Sequence, residues 1–242
     1  MSNSSTSNSQ TNYVIEAETI PSIPVLDSKD RFPVRRIYCV GQNYGDHVRE
    51  MGGDPRMNPP VFFSKPPNAI VTENNAVQYP PATDNLHYEV ELVVALKSGG
   101  SKLSTEAALQ HVYGYAVGID FTRRDLQAAA KKGGKPWDAA KGFDQSAPVS
   151  SIVPVAGALP DAGRIWLQVN GETRQDANLD DMIWSVAEII SELSKLYTLK
   201  GGDIIFTGTP AGVSAVVAGD RIKAGIDGVG EIEFDLTGTV AP

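Results

Sequence analysis

The chain has 242 residues, 41% apolar and 21% charged, with a formal net charge of −8 and a single cysteine. That length can bury a sizeable core and fits one domain with a short appendage better than two full domains. The acidic balance argues against nucleic acid as a general partner, no stretch approaches the roughly 20 apolar residues of a membrane span, and the lone Cys39 excludes an internal disulfide and fits a reducing cytoplasm.

The start, MSNSSTSNSQTN, has neither a basic flank nor a hydrophobic stretch, so it is not expected to be a secretory signal. Its Ser/Asn content buries too little apolar surface to offset ordering, and residues 1 to about 12 are expected to be mobile. Residues 13–34 carry three prolines and little periodicity, and read as an extended arm. The expected organisation is therefore a tail and arm over 1–34 and a catalytic domain over 35–242.

RRIYCVG reads as a strand, followed by a Gly/Pro-rich stretch from Gly41 to Pro60. VFFSKP, AIV and AVQYP read as short strands, and HYEVELVVAL, residues 87–96, is the clearest strand in the chain. Ser104 is placed to cap a helix over TEAALQHVYG that stops at Gly114. Thr122 and Asp125 form a capping box opening a second helix toward Gly133-Gly134. Asp180 or Asp181 opens the longest, in which Ile183, Val186, Ile190, Leu193 and Leu196 recur at helical spacing. DIIFTG, RIKAGI and EIEFDL complete the strands. Many short strands, few helices and no regular alternation predict an α+β, mainly-β fold.

Within HYEVELVVAL, residues two apart project from one face roughly 6–7 Å apart, so Glu89 and Glu91 point the same way. Val93 and Ala95 share that face, which suggests cover on it as well. Two carboxylates about 6 Å apart at an effective dielectric of about 20 repel by roughly 3 kcal/mol, which protonation or a cation would relieve. An exposed face on an edge strand is the plain alternative. Asp120 ends the apolar run YAVGI directly before the second helix, a usual place for a strand to present a ligand. Three carboxylates without a Cys or His cluster describe a site for a hard divalent cation, Mg²⁺ or Mn²⁺ rather than Zn²⁺.

His47 and Glu50 lie three apart in NYGDHVREMGG, so one helical turn would place them on one face as a water-activating pair. A surface i,i+3 pair is the alternative. Lys141, in a stretch rich in apolar and turn residues, can stabilise a developing enolate, or else snorkel to the surface. Thr209 lies in a turn that offers a hydroxyl and backbone N–H groups to a carboxylate, though a turn needs no function. Between Phe121 and Phe143, six cations (Arg123, Arg124, Lys131, Lys132, Lys135, Lys141) face only Asp125 and Asp138. An anionic substrate would suit that excess, although a solvated helix face accounts for most of the lysines. His87 is a neighbour of the carboxylates, and His111 carries no special signal.

YCVGQNYGDHVREMG, FFSKP, LHYEVELVVAL, GYAVGIDFTRRDLQ, KGFDQSAPV and GGDIIFTGTPAGV occur in an order that resembles the fumarylacetoacetate hydrolase family across residues 35–240. The resemblance implies a mixed β-roll with a few short helices, a homodimer, and Mg²⁺ or Mn²⁺ held by Glu89, Glu91 and Asp120. It implies a His47–Glu50 dyad on a lid, Lys141 for stabilisation of the intermediate, and Gln42, Tyr44, Lys65, Arg124, Gln127 and Thr209 around a small anionic diketo-acid substrate. Within the family, PWDAAKGFDQSAP and RRIYCVGQNY resemble bacterial members that hydrolyse a carbon–carbon bond of fumarylpyruvate, giving fumarate and pyruvate in gentisate-type aromatic breakdown. Many relatives have arginine where this chain has Gln42, a change that bears on recognition of the substrate carboxylate. Decarboxylation of oxaloacetate, or isomerisation and decarboxylation of a diacid, are rival reactions at the same metal site. A non-catalytic binding protein with a merely solvated acidic strand is a rival of another class.

Overall fold

A computed structural model describes residues 12–45, 59–155 and 162–238. The expected mobile start up to residue 11 and the His47–Glu50 pair lie outside these residues. Two sheets face each other. The larger has six strands in the order Val153–Pro154, Val112–Ile119, Val90–Leu96, Asp203–Phe206, Arg36–Gly41 and Val61–Lys65. The smaller has five, in the order Glu172–Asn178, Arg164–Val169, Arg221–Ile226, Gly230–Thr237 and Val77–Gln78. Asp203–Phe206 runs parallel to Arg36–Gly41 and antiparallel to Val90–Leu96, so the larger sheet is mixed. This is the expected mainly-β roll.

The period-two pleat explains the layering. Val90, Leu92, Val94, Val117, Ile119 and Ile205 enter a main core with Ile165, Leu167, Ile222, Ala224, Ile232 and Phe234 of the second sheet. Their neighbours Val93, Ala95, Ala116, Ile204 and Phe206 point the other way, into a smaller second core. A strand buried on both faces reads as a continuous apolar run, which VELVVAL is. The second core is closed by Ala147, Val149 and Ile152 and by the hairpin of Ser22–Pro24 with Arg31–Pro33, which contributes Ile23 and Phe32. A segment with no readable periodicity thus supplies core residues, because in a three-residue strand one inward side chain is the entire pattern.

Local start and stop signals were less reliable than the strand pattern. From Ser104 the helix covers only Thr105–Ala108 and a single 3₁₀ turn, and Val112 already begins a strand. Gly114 is no helix stop. It lies within that strand, where an added Cβ would come 2.3 Å from Val153 O. The longest helix is Val186–Leu196, opened by Ser185 and Glu188 in a reciprocal capping box, not by Asp180 or Asp181. Asp181 instead caps a 3₁₀ turn with Asn178. In the longest helix Ile190 and Leu193 are buried as expected, whereas Leu196 is 65% exposed and Ile189 takes a core place. The second helix is Arg124–Lys132 and ends at Gly133, but no side chain caps its start.

Candidate metal centre

The pleat also places the carboxylates. Glu91 precedes Val93 and Ala95 on the face turned to the second core, and Glu89 lies two residues further back. Asp120 follows Ala116 and Gly118 on the same face, and its N–H donates to Glu89 O at 2.8 Å. Glu89, Glu91 and Asp120 are 6%, 1% and 0% exposed, which excludes the solvated-strand reading. One oxygen from each lies within 4.8 Å of the others. The expected strand over 87–96 is interrupted here: Val90–Leu96 is the strand, and Leu86–His87 pairs separately with Thr122–Arg123.

Two buried lysines and the half-buried Arg124 stand against three buried acids. Lys141 Nζ donates to Glu89 Oε2 at 2.8 Å, Asp120 Oδ2 at 2.7 Å and Thr122 Oγ1 at 2.5 Å. Arg124 donates to Glu89 Oε1 at 2.5 Å and to Gln127 Oε1 at 2.6 Å. Lys65 lies beneath, with Nζ 2.8 Å from Asp120 Oδ1 and hydrogen bonds to the carbonyls of Phe121 and Lys141. Burial works against the Lys141 charge, but Asp120 and Glu89 outweigh it and hold the ammonium above its ordinary value. For Lys65, burial and Lys141 win over Asp120 and the value is lowered. His87 is held down to about 4 by burial and by Arg124, which donates from Nε to His87 Nδ1 at 3.4 Å.

The charges are unevenly shared. Glu89 and Asp120 each touch cations, whereas Glu91 accepts the Gly208 N–H at 2.7 Å and has no cation within ion-pair distance among the described residues. Burial, with Asp120 and Glu89 nearby, pushes the Glu91 carboxyl well above the usual range. A divalent cation among the three oxygens is what would relieve this, and an all-oxygen donor set suits Mg²⁺ or Mn²⁺.

Glu89 and Glu91 open into a cleft lined also by Gln42, Phe63, Arg124, Gln127, Lys131, Trp137, Lys141 and Thr209, with Val40 and Gly41. The residues arrive from four neighbouring strands of the larger sheet and the turns that follow or precede them, from the Arg124–Lys132 helix, and from the short helix Asp138–Lys141 with Trp137 at its start. Of those singled out in the sequence, Gln42, Arg124, Gln127, Lys141 and Thr209 line this cleft with Glu89 and Glu91, and Asp120 lies behind them, fully buried. Lys65 is 3% exposed and sits under Asp120 rather than on the wall. Tyr44 is buried away from the wall, and its hydroxyl finds no hydrogen-bond partner among the described residues.

Thr122 was misread by its local signal. Its hydroxyl donates to Glu89 Oε1 at 3.1 Å and accepts from Lys141, so it serves the site instead of capping the helix. Gln175 carried no signal at all. Fully buried, it accepts the Val90 N–H at 3.0 Å and donates to Thr209 Oγ1 at 2.9 Å, tying the Thr209 turn to the carboxylate strand.

The fumarylacetoacetate (FAA) hydrolase C-terminal family model matches residues 36–237. The chain belongs to the fumarylacetoacetate hydrolase family. Within this family of enzymes it is 47% identical over 175 residues to a fumarylpyruvate hydrolase of Ralstonia sp, covering 72% of this chain and 91% of that one. It is 48% identical over 204 residues to a mitochondrial oxaloacetate tautomerase of Rattus norvegicus, covering 84% and 91%. The crystal structure of fumarylpyruvate hydrolase from Pseudomonas aeruginosa in complex with Mn²⁺ and pyruvate has a TM-score of 0.91 at 46% identity, over 93% of this chain and 99% of that one. The Mn²⁺ of that fumarylacetoacetate hydrolase relative agrees with the divalent cation that the oxygen donors of this chain call for.

Proposed function

We propose that the protein hydrolyses the carbon–carbon bond of an acylpyruvate, with fumarylpyruvate giving fumarate and pyruvate. The observation that carries this reading is the likeness to the fumarylpyruvate hydrolase in complex with Mn²⁺ and pyruvate, joined to a buried oxygen triad beside a cleft lined by cations.

Glu89, Glu91 and Asp120 would hold the cation, and a bound Mg²⁺ or Mn²⁺ supplies Lewis-acid stabilisation of negative charge on substrate oxygens. With three acids balanced by Lys65, Arg124 and Lys141, a divalent cation leaves the centre positive, which suits a diketo acid inside an otherwise acidic protein. Arg124, Gln127, Gln42 and the Thr209 hydroxyl orient the substrate from the cleft wall. His47, supported by Glu50, takes a proton from water, whose oxygen adds to the acyl carbonyl carbon. The bond from that carbon to the pyruvyl CH₂ breaks, and its electron pair passes into the pyruvate enolate. Lys141 keeps a fixed positive charge beside the developing anion, a role in which preorganised charge is worth about 10²–10³-fold in rate. The proton returns to the enolate carbon to give pyruvate, while the acyl group leaves as fumarate. The assembly in this reading is a homodimer.

One further reading has specific support, because the oxaloacetate tautomerase is equally similar. The discriminating experiment is an assay of purified protein on fumarylpyruvate, acetylpyruvate and oxaloacetate, with Mg²⁺ and then EDTA, repeated with His47→Ala. Pyruvate release from fumarylpyruvate that needs both metal and His47 is expected. Enol–keto interconversion of oxaloacetate without pyruvate release from either acylpyruvate would overturn the hydrolase and favour the tautomerase.

A further inference from the structure

Arg124, Gln127 and Lys131 recur at spacings of three and four on the Arg124–Lys132 helix, so one helix face delivers all three to the cleft. At 1.5 Å rise per residue, Lys131 stands about 10 Å along the axis from Arg124. That length along the cleft wall is on the scale of an extended acylpyruvate diacid. Lys131 Nζ lies 5.0 Å from the centroid of Trp137, which in turn packs on Phe63 at 6.0 Å between ring centroids. The tryptophan face holds the ammonium in place against the cleft wall.

The other cleft cations are committed to the triad through their ion pairs. Lys131 has no carboxylate within ion-pair distance among the described residues. Lys131 is exposed, and its partial desolvation, with Arg124 and Lys141, lowers its basicity against an opposing pull from Glu89. An ammonium set on an aromatic shelf at the cleft wall, with no carboxylate in ion-pair distance among the described residues, is arranged to meet an anion from outside the protein.

We propose that Lys131 is a specificity-determining residue that binds the distal carboxylate of the acyl group, so that the enzyme selects dicarboxylate acylpyruvates over monocarboxylate ones. The inference rests on the acylpyruvate reading above and adds which acylpyruvates are preferred. A lysine that merely covers Trp137 would stabilise the wall without reading the substrate's charge.

The test compares wild type, Lys131→Met and Lys131→Arg, each loaded with Mn²⁺, on fumarylpyruvate and acetylpyruvate. In Lys131→Met the ratio of kcat/KM for fumarylpyruvate over acetylpyruvate should fall about 10- to 100-fold, the worth of a hydrogen bond between charged groups. The fall should lie in KM, and Lys131→Arg should restore most of the ratio. An unchanged ratio, or a fall carried by kcat, would overturn the proposal. If wild type turns over neither substrate, the hydrolase reading fails on its own, and Lys131 is judged by calorimetric titration of fumarate into the Mn²⁺-loaded proteins. Binding at least about tenfold weaker in Lys131→Met sustains a carboxylate site there, and equal binding removes it.

Discussion

At the scale of single residues, the centre depends on one hydroxyl that bridges opposite charges. Thr122 donates to Glu89 and accepts from Lys141 in a place closed to water, so it sets the rotamers of both. Thr122→Val keeps the shape and removes the bridge, leaving a buried carboxylate oxygen and an ammonium proton short of partners. The expected outcome is Mn²⁺ affinity weaker by about 10- to 100-fold in a calorimetric titration, the usual effect of removing a group that orients a ligand. An unchanged Kd would mean that Glu89 is positioned without it. Thr122 also marks a limit of local reading. T-x-x-D before an apolar stretch is a sound capping signal, yet here Asp125 bonds Thr83 and its own neighbour Leu126, and Thr122 turns inward. The two charged partners of Thr122 come from 33 and 19 residues away, beyond any local window.

At the scale of elements, the decisive contact is between the strands Val90–Leu96 and Val112–Ile119. Their register sets Glu91 opposite Gly118. A Cβ on Gly118 would lie 2.5 Å from Val93 Cγ2 and 2.6 Å from Phe206 Cε1, so the strands touch where the second core meets the triad. Gly118→Ala should cost about 1–3 kcal/mol of stability by overpacking. It should also weaken Mn²⁺ binding, because relief comes from moving the strand that carries Glu91. Urea unfolding and metal titration of the same variant check both halves, and a stability loss with unaltered metal affinity would separate core from site. The strand itself was legible because seven successive apolar or carboxylate positions fit burial on both faces. The helix starts were not, since Ser185, Asp181 and Asp180 are all acceptable caps and only packing of Ile189, Ile190 and Leu193 sets the register.

At the scale of the whole molecule, the acids and cations of the centre tie together segments from Lys65 to Gly208. Metal binding should therefore stabilise the entire domain. Mn²⁺ at 100 times its Kd should add about 2.7 kcal/mol to the unfolding free energy, read as a rise in Tm that EDTA reverses. Glu91→Gln should abolish that rise. A Tm indifferent to Mn²⁺ in wild type would remove the metal centre from the account.

Taken by itself, the sequence determined the mainly-β class, the two-faced strand with its paired glutamates, and the family, through motifs whose order along the chain needs no structure to read. It also singled out most residues of the cleft wall. Only the tertiary structure decided that the carboxylates are buried, that three cations balance them with Glu91 left to a backbone N–H, and that Thr122 and Gln175 brace the site. It alone set Lys131 on Trp137 in the cleft wall. The physical reason is range. Periodicity and motif order are carried along the chain, whereas desolvation and charge pairing depend on which distant segments the sheets bring together.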